Sequence, residues 1–142
     1  MEGLTIDQIK VGDKTSVVKT IGESDVYLFA GITGDLNPAH TNQVAAEKTM
    51  FKGRIAHGIL VSGFISTCLG MQLPGPGTIY LSQNTKFTAP VHIGDTITAE
   101  VEAIEVITEK NRVKFKTTCT NQDGKMVIDG EAVVMPPKKQ FN

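Results

Sequence analysis

The feature that most constrains this fold is a nearly continuous apolar run in the middle of the chain, Gly58–Leu69. As a helix it would be apolar on almost every side, so other elements must bury it. Its 12 residues fall short of the about 20 that a membrane-spanning helix needs. Gly70 then offers a C-cap. The rest of the chain therefore has to form a cover around one internal helix.

Strand patterns supply that cover, mostly after the apolar run. A short alternating segment, Lys14–Thr20, comes first. Four further strands are predicted at Ile79–Pro90, Ile97–Val106, Val113–Cys119 and Met126–Met135. The apolar phase of the second of these slips at Ile104, which predicts a β-bulge. Asn121–Gly124 is a strong hairpin signal between the last two strands.

Two helices are predicted before the apolar run, at Ser24–Ile32 and Asn42–Thr49, and Gly34 ends the first. A length of 142 residues suits one domain, so we predict a single domain over 1–142 with an ordered core of about 8–136. The class is α+β: an antiparallel sheet wrapped around a long buried apolar helix, which is the hot-dog fold. Such a sheet leaves free edges, so a homodimer that pairs them is expected.

Composition and charge exclude several classes of protein. Apolar residues make up 40% and charged residues 20% of the chain, as in a globular domain rather than a disordered or membrane protein. The net charge is -1 with no basic cluster beyond Lys138-Lys139, so nucleic acid is not an expected partner. No signal peptide is recognisable, and Cys68 and Cys119 lack a disulfide pattern. We therefore expect a cytoplasmic protein that binds neither nucleic acid nor membrane.

The heptapeptide Gly34–His40, Gly-Asp-Leu-Asn-Pro-Ala-His, is the strongest functional signal. Asp35 and His40 have a spacing that a helix does not bring together, and Pro38 cannot continue a helix from within it. A sharp loop that turns both side chains towards one point is predicted. An acid and an imidazole that face a substrate can transfer protons. The alternatives are a turn cap with a surface histidine, or a metal site of Asp35, His40 and His57, which no further ligand pattern supports.

His57 and Gly58 stand at the start of the apolar helix. A helix N-terminus carries free N–H groups and a partial positive charge, and a glycine has no side chain to block an approaching carbonyl. Gly58 is thus a candidate oxyanion donor, and its alternative role is to permit a tight entry turn. His57 is either catalytic or orients that turn, and the second is the preferred interpretation.

Ser62 and Ser66 share one face of the predicted helix. They lack the Gly-x-Ser-x-Gly elbow of serine hydrolases, so each either bonds back to a helix carbonyl or contacts a substrate. The chain also has no glycine-rich phosphate loop. The phosphates of a nucleotide-bearing substrate would therefore meet scattered cations, with Lys52, Arg54 and Lys86 as candidates and solvated surface charges as the alternative.

The segment Phe29–His40 resembles the hydratase signature of the MaoC-like, (R)-specific enoyl-CoA hydratases. Further similar segments follow in order at Arg54–Gly58, Gln72–Gly75, Ile79–Leu81 and Phe87–Asp95, and the resemblance extends over roughly residues 8–135. Ala39 is smaller than the aliphatic residue that often precedes the histidine in the family.

The resemblance implies a hot-dog dimer or larger assembly that adds water across the double bond of a trans-2-enoyl thioester. It implies Asp35 and His40 as the catalytic pair and the backbone N–H of Gly58 as the oxyanion donor. Ser66 would support the site and Asn37 would brace the loop. No metal or redox cofactor is implied, and coenzyme A would enter as part of the acyl-CoA substrate.

Hydration explains why these residue types are needed. A base takes a proton from water as its oxygen attacks C3, an acid delivers a proton to C2, and the thioester enolate is stabilised. An imidazole, whose pKa in model peptides is about 6.5, can accept that proton. A carboxyl group can hold the same water, and can supply or relay the other proton if burial disfavours its ionised form. A hot-dog acyl-CoA thioesterase and a non-catalytic acyl-CoA-binding module remain the alternatives.

Overall fold

The computed structural model describes residues 2–139, so the end of the segment that follows the predicted ordered core of about 8–136 lies outside the described residues. The strands are β1 Lys14–Thr20, β2 Ile79–Phe87, β3 Thr96–Ile107, β4 Arg112–Thr120 and β5 Met126–Met135. The helices are α1 Glu23–Thr33, α2 Pro38–Thr41, α3 Gln43–Glu47 and α4 Gly58–Thr67. Each predicted strand is present within a few residues of its expected bounds.

The five strands form one antiparallel sheet in the order β1-β3-β4-β5-β2, which makes β1 and β2 its edges. The register of β3 on β4 shifts between Ala103 and Glu105, which places the predicted bulge at Ile104. A second bulge, which the alternation did not reveal, lies in β2 between Tyr80 and Ser82. The architecture is the α+β layout of the hot-dog fold.

The sheet covers one face of α4. The helix lies against β1, β3 and β4, and its inward residues Val61 and Ile65 are at most 1% exposed beside the fully buried Ile97 and Phe115. Each such side chain stabilises the fold by about 1.5–3 kcal/mol through burial. On the opposite face Ile59 is 64% exposed. The expectation of a helix buried all round therefore holds, within one chain, only for the face that the sheet covers.

The end of α4 differs from the predicted stop at Gly70. The chain continues through a π-helical turn, Cys68–Gln72, because the N–H of Leu73 reaches back to the carbonyl of Cys68 at 2.9 Å. A glycine C-cap is not needed where such a wider turn satisfies the last carbonyls. Within residues 2–139, no helix has the length and apolar character required to span a membrane.

The heptapeptide Gly34–His40 is only partly the predicted loop. Gly34 ends α1 in the left-handed conformation, with φ of 79°, as expected for a glycine stop. Pro38, however, starts a helix instead of excluding one, since its missing N–H is harmless at the first helical position. The side chain of Asn37 caps this turn by accepting the Ala39 N–H at 3.0 Å. His40 consequently lies on a short helix.

The predicted helix Asn42–Thr49 is shortened to α3, with the Asn42 side chain as its cap. The chain that follows is anchored on both sides before α4 begins. Ile55 donates its N–H to the Ala39 carbonyl at 3.0 Å, and Ala56 donates to the Val91 carbonyl at 2.7 Å. These bonds fix the approach to α4 against both α2 and the chain that follows β2.

Candidate active site

The loop around Asp35 is held by a series of side-chain to backbone hydrogen bonds. The Asp35 N–H donates to Oγ1 of Thr33 at 3.2 Å, and Oδ1 of Asp35 accepts the Asn37 N–H at 3.2 Å. The bond from Ala39 to Asn37 continues the series. The carboxylate is therefore oriented by its own loop, while the side chain remains 52% exposed. The burial that a proton-donating Asp35 requires is not provided within one chain.

His40 is partly buried and its ring is fixed by one short bond. Its Nδ1 lies 2.7 Å from the carbonyl oxygen of Ile55. A carbonyl oxygen only accepts, so Nδ1 carries the proton and donates it. The other ring nitrogen, Nε2, then keeps its lone pair. His40 is thus arranged to accept a proton through Nε2.

His57 contacts both of the predicted catalytic residues. Its Nε2 is 2.9 Å from the backbone oxygen of Asp35 and 3.9 Å from Oδ2 of the same residue. Its ring stacks on that of His40, with 3.8 Å between centroids, and meets the Phe29 ring at 4.8 Å. The structure therefore adds a third, deeply buried residue to the pair that the sequence indicated.

The distances within this cluster suit a bridging water. One carboxylate oxygen of Asp35 and one ring nitrogen from each of His40 and His57 lie within 4.8 Å of one another. Two groups that share one water at about 2.8 Å each can lie about 4.5–5 Å apart. Asp35 and His40 are therefore close enough to hold a single water between them.

The same three residues are the candidate metal ligands that the sequence offers as an alternative. A metal bound to imidazole lies near the ring plane, about 2 Å from the nitrogen. The planes of His40 and His57 are only 29° apart across their stack, so their lone pairs do not converge at that distance. The arrangement favours hydrogen bonding over metal coordination.

Gly58 is the first residue of α4, and its lack of a side chain is required by packing. A Cβ at this position would lie 2.7 Å from two carbons of the Phe87 ring. The residue does not adopt the left-handed conformation, so space, not a tight turn, explains the glycine. The His57 side chain makes no capping bond to the helix. The first N–H groups of α4 therefore remain available to a ligand.

An apolar cavity of about 450 Å³ adjoins Gly58. Its walls come from three separate parts of the chain, namely Phe51–Val61, the segment Phe87–Val91, and the pair Val127–Ile128. The volume is within the range of about 300–1,000 Å³ that is usual for small-molecule sites. A ligand in this cavity would reach the start of α4 directly.

The predicted supporting serine lies further along the helix. Ser66 is exposed, and eight residues of helix place it about 12 Å beyond Gly58 along the α4 axis. It shares the outward face with Ile59. A single ligand that touched both Gly58 and Ser66 would have to be extended along this face.

Arg54 differs from the expectation of a free phosphate-binding cation. Its guanidinium forms an ion pair with Glu23, donates to the Tyr27 hydroxyl at 2.9 Å and lies over the Tyr27 ring. The hydrogen bond from Arg54 lowers the pKa of the Glu23 carboxyl, and Glu23 in turn raises the pKa of Arg54. Arg54 therefore ties α1 to the approach to α4, whereas Lys52 and Lys86 are exposed.

Comparison with known proteins shows to which family this chain belongs. Residues 7–125 match the family model described as MaoC like domain. The chain belongs to the MaoC-like family. This MaoC-like domain is 56% identical over 133 residues to the (R)-specific enoyl-CoA hydratase of Rhodospirillum rubrum, covering 94% of this chain and 92% of that one. It is 46% identical over 137 residues to the 3-hydroxybutyryl-CoA dehydratase of Methylorubrum extorquens, covering 96% and 87%.

Solved structures give the same result for the fold. The unliganded R-hydratase PhaJ1 from Pseudomonas aeruginosa superposes with a TM-score of 0.93 and 44% identity, covering 99% of this chain and 90% of that one. The predicted hot-dog fold and MaoC-like family membership are thus both confirmed.

Proposed function

We propose that this MaoC-like domain is an (R)-specific enoyl-CoA hydratase, a hydro-lyase that adds water reversibly across the double bond of a trans-2-enoyl-CoA. The observation that carries the proposal is the spacing of Asp35 and His40, whose polar atoms lie within 4.8 Å on the chain segment that leads to Gly58. The names of the two relatives support the same chemistry. In reverse the reaction dehydrates a 3-hydroxyacyl-CoA.

His40 is the base in this mechanism. Its Nδ1 is committed to the Ile55 carbonyl at 2.7 Å, which leaves the Nε2 lone pair to accept from the water. As the water oxygen bonds to C3, Nε2 takes one of its protons and the ring becomes an imidazolium held by Ile55. Asp35 accepts a hydrogen bond from the second water proton and so fixes the direction of attack.

Completion of the reaction returns a proton to C2. The electron pair of the double bond moves into the thioester as oxygen attacks, which gives an enolate. When that enolate collapses, C2 takes up a proton from the His40 imidazolium, either directly or relayed by Asp35 within the 4.8 Å cluster. Water thereby supplies both the hydroxyl at C3 and the hydrogen at C2, so no metal or redox cofactor is required.

The enolate oxygen is assigned to Gly58. A helix N-terminus offers unpaired N–H groups and about half a positive charge, both of which stabilise an anion there. The Phe87 ring occupies the space beside the Gly58 Cα that a side chain would fill. In the proposal the thioester carbonyl accepts a hydrogen bond from the Gly58 N–H, and the apolar cavity that adjoins Gly58 is assigned to the substrate.

The remaining site residues have supporting roles in the proposal. Asn37 braces the loop by capping α2, and Ser66 supports the substrate from further along α4. Lys52 and Lys86 are the exposed candidates for the phosphates of coenzyme A. Arg54 has the weaker case, since Glu23 already pairs with it.

A homodimer, or a larger assembly of dimers, completes the proposed enzyme. The edge strand β2 exposes Ile79 and Leu81, at 53% and 42%, and the outer face of α4 exposes Ile59. Apolar strand edges of this kind are usually covered in soluble proteins. A second copy that paired along β2 would cover them. We also propose a cytoplasmic location, which suits the two free buried cysteines.

The assembly can be tested by light scattering. Leu81→Lys places a charge on the edge of β2, which disfavours strand pairing, and we expect the purified variant to have the mass of one chain. Val11→Lys, at a loop residue that is 65% exposed, is the matched control and should keep the wild-type mass. A Leu81→Lys protein of unchanged mass would rule out pairing along β2.

The function is tested by supplying trans-2-enoyl-CoAs of increasing chain length. We expect loss of the enoyl absorbance without release of free thiol, and a product that an (R)-specific 3-hydroxyacyl-CoA dehydrogenase oxidises. Thiol release would indicate the thioesterase alternative instead. Binding of crotonyl-CoA without turnover would indicate the acyl-CoA-binding module, and an (S) product would contradict the stereochemical assignment.

A further inference from the structure

We propose that His57 is a positioning residue for the hydration step, an inference that rests on the proposed function. It is only 3% exposed, whereas the Asp35 side chain beside it is half exposed. A buried side chain is a rigid support for an exposed one, because packing restricts its own rotamers. His57 acts on the two reacting groups through two different contacts.

The first contact fixes the backbone at Asp35. The Nε2 of His57 is 2.9 Å from the Asp35 carbonyl oxygen, which can only accept, so Nε2 carries the proton. The other bonds to this loop come from exposed groups of the same segment. The bond from His57 therefore ties the backbone that carries the carboxylate to the interior of the protein.

The second contact fixes the plane of the His40 ring. The His57 ring contacts two other rings: it stacks on His40 with 3.8 Å between centroids, and it meets Phe29 at a tilt with 4.8 Å between centroids. Stacking defines the height and tilt of the His40 ring, and the bond from Nδ1 to Ile55 defines its rotation. Together they aim the Nε2 lone pair of His40.

The unpaired nitrogen of His57 argues against a purely structural role. Within residues 2–139, its buried Nδ1 has no hydrogen-bond partner. An unpaired buried polar atom destabilises a protein, and an apolar residue of the same shape would remove that cost. Phenylalanine would fill the same space between Phe29 and His40. The imidazole is thus explained by its Nε2–H bond to Asp35 and not by packing.

His57→Phe tests this directly, because it keeps a ring in the stack and removes the N–H. We expect kcat for crotonyl-CoA hydration to fall about 10- to 100-fold, KM to change less than about threefold, and the melting temperature to stay the same or rise. His57→Gln retains an N–H donor and should recover part of the lost kcat. The matched control is His92→Phe, which removes a similar 3.0 Å bond to the Phe51 carbonyl and should leave kcat within about threefold.

A His57→Phe enzyme that keeps wild-type kcat overturns the proposal. If the His57→Phe enzyme loses both kcat and thermal stability, the His57→Gln variant decides between the two causes. A folded His57→Gln enzyme that recovers none of the lost kcat also overturns the proposal. Nitrogen-15 NMR of the wild-type ring is independent of catalysis. Protonation at Nε2 is expected, and protonation at Nδ1 contradicts the contact. If the wild type hydrated no enoyl-CoA, the proposed function would fail while this spectrum still decided the His57 contact.

Discussion

The carbonyl oxygen of Ile55 holds the Nδ1–H of His40 at 2.7 Å, and this bond determines which ring nitrogen faces the substrate. Ile55 is separated from His40 by a whole helix in sequence, yet its own N–H returns to α2 through Ala39. The approach to α4 and the helix that carries His40 are therefore joined by two bonds. The orientation of the proposed base therefore depends on the backbone carbonyl of Ile55. A substitution of the side chain at position 55 does not remove this carbonyl.

Loss of either member of the proposed pair should greatly reduce turnover. Asp35→Asn or His40→Ala removes a group that handles a proton in the transition state, so we expect kcat to fall about 10²–10⁴-fold. Asp123→Asn, in the exposed hairpin between β4 and β5, is the control. The measurement is steady-state hydration of crotonyl-CoA, with circular dichroism to check folding. Near-normal kcat in a folded Asp35→Asn or His40→Ala variant would show that the pair is wrongly assigned.

Gly58→Ala should impair both packing and turnover. Its methyl group would lie 2.7 Å from the Phe87 ring, so the ring must move and the approach to the helix N–H narrows. We expect a lower melting temperature and a reduced kcat, with a loss smaller than the about 10²–10³-fold that removal of an oxyanion donor causes, because alanine keeps the backbone N–H. Gly31→Ala is the comparison, since a methyl group there meets nothing within 4 Å and alanine favours a helix.

A second substitution separates the two effects of Gly58→Ala. Phe87→Leu in the same chain makes room for the methyl group, and the double variant should regain stability and part of kcat. If stability returns without any recovery of kcat, crowding by Phe87 is not the cause of the lost turnover.

Substitution of Arg54 should affect stability, whereas substitution of Lys52 or Lys86 should affect KM. Arg54→Gln removes the partner of Glu23 and Tyr27, so we expect a lower melting temperature with little change in KM. Lys52→Gln and Lys86→Gln leave that pair intact, and should raise KM for acyl-CoA without changing kcat, because they would contact only the nonreacting phosphates. An Arg54→Gln enzyme with normal stability and a raised KM would reverse this assignment.

The ion pair between Arg54 and Glu23 predicts that the stability of the protein falls at low pH. The Glu23 carboxyl has a lowered pKa in the folded protein, chiefly through its hydrogen bond from Arg54. Its stabilising contribution is therefore present above the ordinary glutamate pKa of about 4.3 and is lost as the pH falls below it. Glu23→Gln should lower the melting temperature at pH 7 and have a smaller effect in acid. Equal losses at both pH values would exclude the carboxylate as the cause.

Burial of the two thiols predicts slow reactivity and a loss of stability in alkali. Burial raises the pKa of Cys68 to about 11 and that of Cys119 to about 12. Unfolded thiols ionise near pH 8.5, so the unfolded state releases protons first, and the free energy of unfolding falls as the pH rises from there towards 11. Tyr80, raised to about 12, adds to this from about pH 10. Urea unfolding from pH 7 to 10.5 measures the slope.

Substitution and labelling distinguish the thiols from Tyr80. Cys119→Ala should reduce the alkaline slope, and an aromatic disulfide reagent at pH 8 should label the native protein slowly and the unfolded protein rapidly at two sites. Fast labelling of native Cys68 or Cys119 would contradict their burial.

Much of the fold follows from sequence because it depends on local periodicity. The apolar run at Gly58, the strands after it and the bulge at Ile104 all leave patterns in the order of apolar residues. Pro38 was harder to interpret, since proline both excludes a helix interior and favours a first helical position. The π-turn at Cys68–Gln72 depends on a backbone bond to Leu73 that no side-chain pattern reports.

The candidate site was predictable as a set of residues and not as a geometry. Asp35 and His40 are conspicuous in a short motif, and Gly58 follows from the helix start. The stack of His57 on His40 joins side chains 17 positions apart, and the pairing of Arg54 with Glu23 spans 31. Such partners are chosen by tertiary packing. Histidine directly before Gly58 was the only sequence signal for His57, and it was compatible with a role in the turn alone.

The hydrogen bonds from Thr33 through Asp35 and Asn37 to Ala39 all lie within one short segment. The neighbouring cavity, in contrast, is lined in part by residues that are distant in sequence. The two reacting side chains, Asp35 and His40, and the distant wall residues are thus encoded in different stretches of the chain. Under the proposed function, a lineage could exchange wall residues such as Val127 and Ile128, and so acquire a new acyl preference, while inheriting its reacting groups unchanged. A graft of residues 33–41 between relatives should correspondingly transfer the two reacting side chains without the wall residues, and so without the acyl preference.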